Sequence, residues 1–272
     1  MAEKFLAERT AMVTGGASGM GLAIASALAS AGARVAIGSL LAGGNRADGE
    51  LTYLPGQEQM DRALSQLGAD SIGVNLDVTS DASVDEFYRA TVERLGPVDI
   101  LVNAAGITAE QTIVGHDDGL WNKVIEVNLT GTYRAIKRVL PSMIERKWGR
   151  IINIASTAAS VGAATSGAYC ASKAGVVGLT RAVALEGAPH GVTCNALSPT
   201  WVDTSFGRAW MTDIAEHEHR SGDDYVADVE KSNPQGRLIS PTEIGALALF
   251  LCSDGAKGIT MEDLRVSAGS LW

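Results

Sequence analysis

Residues 11–31 read AMVTGGASGMGLAIASALASA, which is a short apolar run, a glycine-rich turn and a helix-like segment. Glycine permits a tight turn and a close approach of the backbone to a ligand, and the N-terminus of a helix presents N–H groups to an anion. The stretch therefore predicts a phosphate-binding turn between the first strand and the first helix of an α/β fold. The glycines lie at Gly15, Gly19 and Gly21, a spacing that differs from the Gly-x-Gly-x-x-Gly dinucleotide pattern.

Apolar, β-branched runs alternate with helical patterns along the whole chain. The predicted strands are residues 11–13, 34–37, 72–76, 100–102, 150–154, 193–197 and 264–266. Strands separated by helices form a parallel sheet, so the fold class is α/β, a doubly wound parallel sheet of Rossmann type. Such sheets bind ligands at the carboxyl ends of their strands. A long helix is predicted over residues 120–147, with a kink or interruption at Pro141.

Composition predicts one domain that acts on small molecules. The 272 residues, 46% of them hydrophobic, are enough for a single domain spanning residues 1–272. A net charge of −9 without a basic cluster argues against nucleic acid or an anionic membrane surface as partner. No apolar run suits a secretory signal or a membrane span, so a cytoplasmic location is expected. The spacing of the three cysteines and four histidines predicts neither disulfides nor a metal site.

Two stretches depart from the regular alternation of strands and helices. Residues 40–57 are rich in glycine and polar residues and predict an inserted loop after the second strand. Residues 205–235 hold Phe206, Trp210 and Tyr225 beside the predicted ligand crevice. They predict a helical substrate lid, and an ordinary amphipathic surface segment is the alternative.

Tyr169 and Lys173 are four residues apart, a spacing that on a helix places a phenol and an ammonium on one face. A cation about 4 Å away, at an effective dielectric constant of about 20, favours the phenolate by about 4 kcal/mol, or about three pKa units. Such a tyrosine can exchange protons near neutral pH. A surface pair without chemistry is the alternative, and the surrounding motifs decide against it.

Further motifs follow in a fixed order: Asn103-Ala104-Ala105-Gly106 after a predicted strand, Asn128 in a helix, and Ser156 at a strand end. Together with the glycine turn and the Tyr-x-x-x-Lys spacing, they resemble the short-chain dehydrogenase/reductase family over essentially the whole chain. The resemblance implies a catalytic tetrad of Asn128, Ser156, Tyr169 and Lys173. Tyr169 would exchange a proton with the substrate oxygen, Ser156 would hydrogen-bond that oxygen, and Lys173 would hold the nicotinamide ribose. Asn128 would anchor a water behind Lys173.

The same resemblance implies a nicotinamide cofactor. The implied contacts are Gly15, Ser18, Gly19, Met20, Gly21, Ser39, Asp77, Val78, Asn103, Ala104, Gly106, Tyr169, Lys173, Pro199, Val202 and Thr204. Many NAD-using relatives carry aspartate at the position of Ser39, and NADP users commonly carry arginine nearby. This chain has neither at that position, so we expect NAD. Arg46 in the inserted loop is the residue that would make NADP possible.

Residues 148–156 and 192–202 resemble the 3-hydroxybutyrate dehydrogenase branch of the family. That branch holds a substrate carboxylate with a lysine and a histidine, and residues 157–168 contain neither. We therefore expect a neutral polyol, sugar or secondary alcohol, contacted by Ser156, Tyr169 and Trp201. A small hydroxy-acid dehydrogenase and a non-catalytic nicotinamide-binding module remain alternatives. Family members usually form homotetramers, which is the expected assembly, with Trp272 buried at a subunit contact or against a neighbouring active site.

Overall fold

A seven-stranded sheet forms the centre of the computed structural model, which describes residues 4–43 and 54–270. All strands are parallel, in the spatial order β3-β2-β1-β4-β5-β6-β7. The seven predicted strands and the doubly wound fold class are confirmed, with ends shifted by one or two residues. The strands are β1 (Thr10–Thr14), β2 (Arg34–Ser39), β3 (Ser71–Asn75), β4 (Ile100–Asn103), β5 (Gly149–Ile154), β6 (Val192–Pro199) and β7 (Asp263–Val266).

Helices cover both faces of the sheet because successive side chains of each strand point to opposite faces. The helices are α1 (Gly19–Ser30), α2 (Gln57–Leu67), α3 (Asp81–Leu95), α4 (Asp118–Ile125), α5 (Gly131–Glu145), α6 (Gly167–Gly187), α7 (Ser205–His217), α8 (Gly222–Ser232) and α9 (Pro241–Leu251). In β1, Val13 packs in a core cluster with residues of α1, α2 and α9, and Met12 packs in a second cluster with residues of α3, α5 and α6. None of the described helices has the length and apolar character to cross a membrane.

The single helix predicted over residues 120–147 is two helices, α4 and α5, joined by a π-helical turn at Glu126–Thr130. Asn128 lies in this turn, and its amide group bonds to the backbone of Ile107 in the loop after β4. Of the two predicted effects of Pro141, the interruption was wrong, because α5 continues through that residue to Glu145, and the kink stays a prediction. The π-helical turn lies where the Asn128 side chain reaches the loop that contains Ile107, and such turns often mark functional sites.

The predicted lid, residues 205–235, consists mainly of α7 and α8, which connect β6 to α9. The predicted inserted loop, residues 40–57, is described at both of its ends, where the N–H of Ala42 donates to the carbonyl of Pro55 at 2.9 Å. Its middle, residues 44–53, includes Arg46 and lies outside the described residues, as does Trp272.

The glycine turn provides a test of the packing at the start of α1. A Cβ added at Gly21 would lie 2.1 Å from the carbonyl oxygen of Gly15. We expect G21A to lower the free energy of unfolding by about 1–3 kcal/mol or more, because backbone must move. The matched control is G178A on α6, where an added Cβ meets no described atom within 4 Å. G178A should stabilise the protein by about 0.5–1 kcal/mol. Urea denaturation measures both, and an undiminished stability of G21A would contradict the packed turn.

Candidate active site

The carboxyl ends of the strands open onto a cavity of about 1140 Å³ that extends from the glycine turn to the lid helices. This volume exceeds the ~300–1,000 Å³ of most small-molecule pockets. Three of the predicted site residues, Gly21, Asn103 and Asn128, are absent from its described lining. The others line it: Gly15, Ser18, Gly19, Met20, Ser39, Asp77, Val78, Ala104, Gly106, Ser156, Tyr169, Lys173, Pro199, Trp201, Val202 and Thr204.

The glycine turn forms a backbone cradle at one end of the cavity. Gly15 and Gly19 have φ values of +68° and +54°, which side-chain-bearing residues rarely adopt. A Cβ at Gly15 would also lie 2.7 Å from the amide nitrogen of Ala105. Strand β2 fixes the turn, because the carbonyl of Gly38 accepts the N–H of Gly15 and the Ser39 hydroxyl accepts the N–H of Ala17. The cradle and the N-terminus of α1 fit the pyrophosphate of a dinucleotide.

The turn after β4 forms the next part of the cavity wall. The Thr14 hydroxyl accepts the N–H groups of Ala104 and Ala105 at 3.2 and 3.3 Å, which ties the end of β1 to this turn. Asn103 is buried beneath the turn, and its amide donates to the Asn153 side chain at 2.8 Å. Asn103 therefore holds the residues that line the cavity, and a direct contact to the cofactor stays a prediction.

The structure brings Ser156, Tyr169 and Lys173 together at the other end of the cavity. Tyr169 and Lys173 lie in the first turns of α6 and are only 6% and 5% exposed. The Lys173 ammonium donates to the carbonyl of Ile154 at 2.8 Å and lies 5.5 Å from the centroid of the Tyr169 ring. Ser156 follows the end of β5 by two residues, and its hydroxyl accepts the N–H of Ala158, which fixes the hydroxyl near the end of that strand. The phenol, hydroxyl and ammonium thus share one buried corner.

Burial is the main cause of the shifted pKa values of Tyr169 and Lys173. It raises the pKa of the Tyr169 phenol to about 12, with the hydrogen bond to Ser156 acting in the opposite direction. Burial lowers the pKa of Lys173 to about 8. The expectation that Lys173 lowers the pKa of Tyr169 therefore does not hold for the protein chain alone. Loss of water disfavours the phenolate form of Tyr169 and the ammonium form of Lys173, and this cost of burial sets the direction of both pKa shifts.

Asn128 joins the loop after β4 to helix α6, which carries Tyr169 and Lys173. Its Oδ1 accepts the N–H of Ile107 at 2.8 Å, and its Nδ2 donates to the carbonyl of Ile107 and to the Ser172 hydroxyl. Ser172 is the neighbour of Lys173 on α6. Asn128 therefore fixes the position of that helix, and the predicted water behind Lys173 remains a prediction.

Aromatic side chains from α7 and from the segment before it line the cavity beside Tyr169. The Trp210 ring centroid lies 5.0 Å from that of Tyr169 and 4.8 Å from that of Trp201. The indole N–H of Trp210 donates to Glu110 at 2.6 Å. Sequence reasoning placed Trp210 in the lid but did not identify Glu110, which also lines the cavity. The only signal for Glu110 was a carboxylate in the loop that follows β4.

Comparison with known proteins finds similarity over nearly the whole chain. A family model described as enoyl-(acyl carrier protein) reductase matches residues 15–270. An uncharacterized oxidoreductase of Bacillus subtilis is 37% identical over 266 residues, which are 96% of this chain and 98% of that protein. The D-beta-hydroxybutyrate dehydrogenase of Cupriavidus necator is 34% identical, over 92% of this chain and 93% of that one. A crystal structure of a variant actinorhodin polyketide ketoreductase with NADPH matches with a TM-score of 0.88 and 35% identity, covering 99% and 98% of the two chains.

Tyr169 is the residue on which the proposed proton transfer depends. We expect Y169F to lower kcat by about 10²- to 10⁴-fold, because it removes the exchangeable proton and keeps the buried ring. Cofactor affinity, measured by fluorescence titration, should change little in this variant. K173A should lower both kcat and the affinity for the cofactor, since Lys173 lies in the same corner and lines the same cavity. Near-native turnover by Y169F would exclude this role for the phenol.

Proposed function

Because the chain belongs to the short-chain dehydrogenase/reductase family, we propose that it transfers a hydride between a nicotinamide cofactor and an uncharged secondary alcohol or ketone. The main support for this proposal is that Ser156, Tyr169 and Lys173 lie together at one end of a cavity whose other end is formed by the glycine turn. A module that only bound the cofactor would have no need of a buried phenol and ammonium at the far end.

The cofactor, when bound, supplies or accepts the hydride. In the reduction direction Tyr169 donates its hydroxyl proton to the carbonyl oxygen while the carbon receives the hydride, and the reverse transfer accompanies oxidation. Ser156 hydrogen-bonds the same oxygen and orients it toward Tyr169. Lys173 has three N–H donors, of which Ile154 receives one, so the ammonium can also hold ribose hydroxyls. With its raised pKa, Tyr169 keeps its proton at neutral pH, which suits it as the donor.

The charges around the cavity support an uncharged substrate. Among the described lining residues the cations are Lys123 and Lys173, and the acids are Asp77, Glu110 and Glu218. Lys123 is exposed on α4, and Lys173 is assigned to the cofactor. An anionic substrate would therefore meet Glu110 beside Trp210 without a buried cation to pair with. A small hydroxy acid is the second candidate, supported by the similarity to the Cupriavidus necator dehydrogenase.

Acetoacetate and its methyl ester separate these two candidates, because they share the ketone and differ in the charge. We expect kcat/KM for methyl acetoacetate to exceed that for acetoacetate by about tenfold or more, since burying an unpaired carboxylate is costly. Absorbance of the reduced nicotinamide follows the reaction with either cofactor. A preference for the free acid would instead support a hydroxy-acid dehydrogenase.

The cofactor end of the cavity supports NAD. The lining residues at and after the end of β2 are uncharged, namely Ser39, Leu40, Leu41, Leu54 and Pro55, and the acid Asp77 follows β3. A 2′-phosphate would find no cation among these described residues, whereas the Ser39 hydroxyl can serve a ribose hydroxyl. NADP is the alternative, since the similar actinorhodin ketoreductase was solved with NADPH.

The ratio of kcat/KM values for NAD and NADP tests this preference in the native protein and in R46A. We expect NAD to be preferred by about tenfold or more, because a partly buried phosphate without a cation costs several kcal/mol. The preference should be the same in R46A. A native preference for NADP that collapses in R46A would show that Arg46 supplies the missing charge-assisted bonds.

A homotetramer remains part of the proposal. Apolar side chains are exposed on the long helices, among them Tyr133 on α5 and Leu185 on α6, and Phe250 is exposed on α9. Pairing of these helices between copies would remove that apolar surface from water.

A further inference from the structure

Three segments around the candidate active site meet at one carboxylate, that of Glu110 in the loop between β4 and α4. Its Oε1 accepts the indole N–H of Trp210 at 2.6 Å and the hydroxyl of Ser166 at 2.7 Å. Its Oε2 accepts the hydroxyl of Thr165 at 2.5 Å. Trp210 belongs to lid helix α7, and Thr165 and Ser166 lie directly before α6. Glu110 therefore links the lid to the helix that carries Tyr169.

The segment before α6 needs such an anchor. Thr165 has a φ of +65°, a left-handed conformation that is unfavourable for a β-branched side chain. Besides the bond to Glu110, its carbonyl accepts the N–H of Gln111 at 2.8 Å. Ser166 precedes the first residue of α6 and lies three positions before Tyr169. Glu110 and Gln111 thus hold the strained start of the helix that presents the phenol.

Three aromatic rings, two from α7 and one from the segment between β6 and α7, form an apolar wall beside Tyr169, and the planes of Trp201 and Phe206 are each tilted by 56° to that of Trp210. Trp210 stands edge-on to Tyr169, at an interplanar angle of 63°, and lies close to Trp201 and to Phe206, whose ring centroid is 6.0 Å away. All three of these lid-side rings line the cavity. Because Glu110 takes the only polar atom of the Trp210 indole, the ring is fixed in one orientation and presents carbon to the cavity.

We propose that Glu110 is a positioning residue that seats Trp210 against Tyr169, and that the wall of Trp201, Phe206 and Trp210 selects apolar, uncharged ring ketones and their alcohols. This proposal rests on the oxidoreductase function proposed above and names the substrate class of the same site. A rigid apolar ring can pack against these mutually tilted aromatic rings without leaving polar groups unpaired, and it loses less conformational freedom on binding than an open chain does. A polyol would have to bury hydroxyls against aromatic carbon, and the three donors already bound to Glu110 limit what that carboxylate can accept.

The substrate test compares 2-indanone with 2-nonanone, which both have nine carbon atoms: 2-indanone holds them in a rigid fused ring system that includes a benzene ring, and 2-nonanone holds them in a flexible open chain. We expect the native protein to favour 2-indanone in kcat/KM by about tenfold, the discrimination that a shaped apolar pocket can supply. Oxidation of sorbitol should be slower than oxidation of 2-indanol. A native preference for 2-nonanone or for sorbitol would overturn the proposed substrate class. Turnover of methyl acetoacetate without turnover of 2-indanone would overturn the substrate class and leave the oxidoreductase function standing, whereas no turnover of any of these ketones and alcohols with NAD or NADP would contradict the oxidoreductase function itself.

The positioning role is tested with W210A, E110A and a matched control, E216A, at an exposed glutamate on α7. We expect W210A and E110A to raise KM for 2-indanone about tenfold, the discrimination available to one apolar pocket contact. KM for 2-nonanone should change much less in both variants, whereas any loss of kcat that acts through Tyr169 should be the same for the two ketones, and all constants of E216A should stay near native values. An equal rise in KM for both ketones in E110A would indicate a general structural role and overturn the proposal.

A double-mutant cycle isolates the bond between Glu110 and Trp210. W210F keeps an aromatic ring but has no N–H, so Glu110 can no longer act through it. Adding E110A to W210F should therefore change KM for 2-indanone much less than E110A does in the native protein. A full E110A effect in the W210F background would overturn the positioning role.

Tryptophan fluorescence gives a readout that does not depend on turnover. The difference between native protein and W210F isolates the emission of Trp210. In E110A this emission should shift to the red, because a released indole becomes exposed to water, and in E216A it should not shift. An unshifted emission in a folded E110A protein would show that Trp210 stays seated without Glu110 and would overturn the proposal.

Discussion

The pairing of β1 with β4 is the constraint on which the rest of the structure depends. β1 also pairs with β2, so the order of the strands reverses at this point, and the loops that follow β1 and β4 turn to opposite faces of the sheet. The crevice between them is where open α/β sheets bind their ligands. Thr14 stabilises this point, because its hydroxyl binds the backbone of the turn after β4 while the turn after β1 bonds to the end of β2. The glycine cradle and the wall that faces it are thus held by the same strand end.

The same geometry explains why two ionisable groups are buried without a nearby carboxylate partner in the described corner. Tyr169 and Lys173 lie on the inner face of α6, where the helix packs over the ends of β5 and β6, and Lys173 bonds to a carbonyl at the end of β5. Burial raises the pKa of Tyr169 and lowers the pKa of Lys173, so both shifts favour the neutral form of the side chain. A cofactor in the cavity would bring hydroxyl groups, and in its oxidised form a positive charge, close to both side chains. The protein therefore supplies the positions, and for the proposed alcohol oxidation, which needs the phenolate, we expect the bound cofactor to favour that form.

The parts of this fold that follow local rules could be predicted from the sequence. The strands are β-branched apolar runs, and the glycine turn and the Tyr-x-x-x-Lys spacing are local patterns, so their positions and their convergence at one sheet edge were correct. The break at Asn128 was not predictable, because it accompanies a bond to Ile107 in another loop. Pro141, the residue with the local signal for a break, lies within a continuous helix. The spacing of Tyr169 and Lys173 placed them on one face but carried no information on burial, which decides the direction of their pKa shifts.

Glu110 shows most clearly what the sequence could not reveal. Its three hydrogen-bond donors lie 55, 56 and 100 residues further along the chain, so no short motif contains the cluster. The cluster exists because the loops after β4 and β5 and the segment after β6 all end at the same edge of the sheet. A half-buried carboxylate there loses part of its contact with water, which is costly unless its oxygens are well bonded. By meeting that requirement with one donor from the lid and two from the start of α6, the protein couples the wall of its cavity to the orientation of Tyr169.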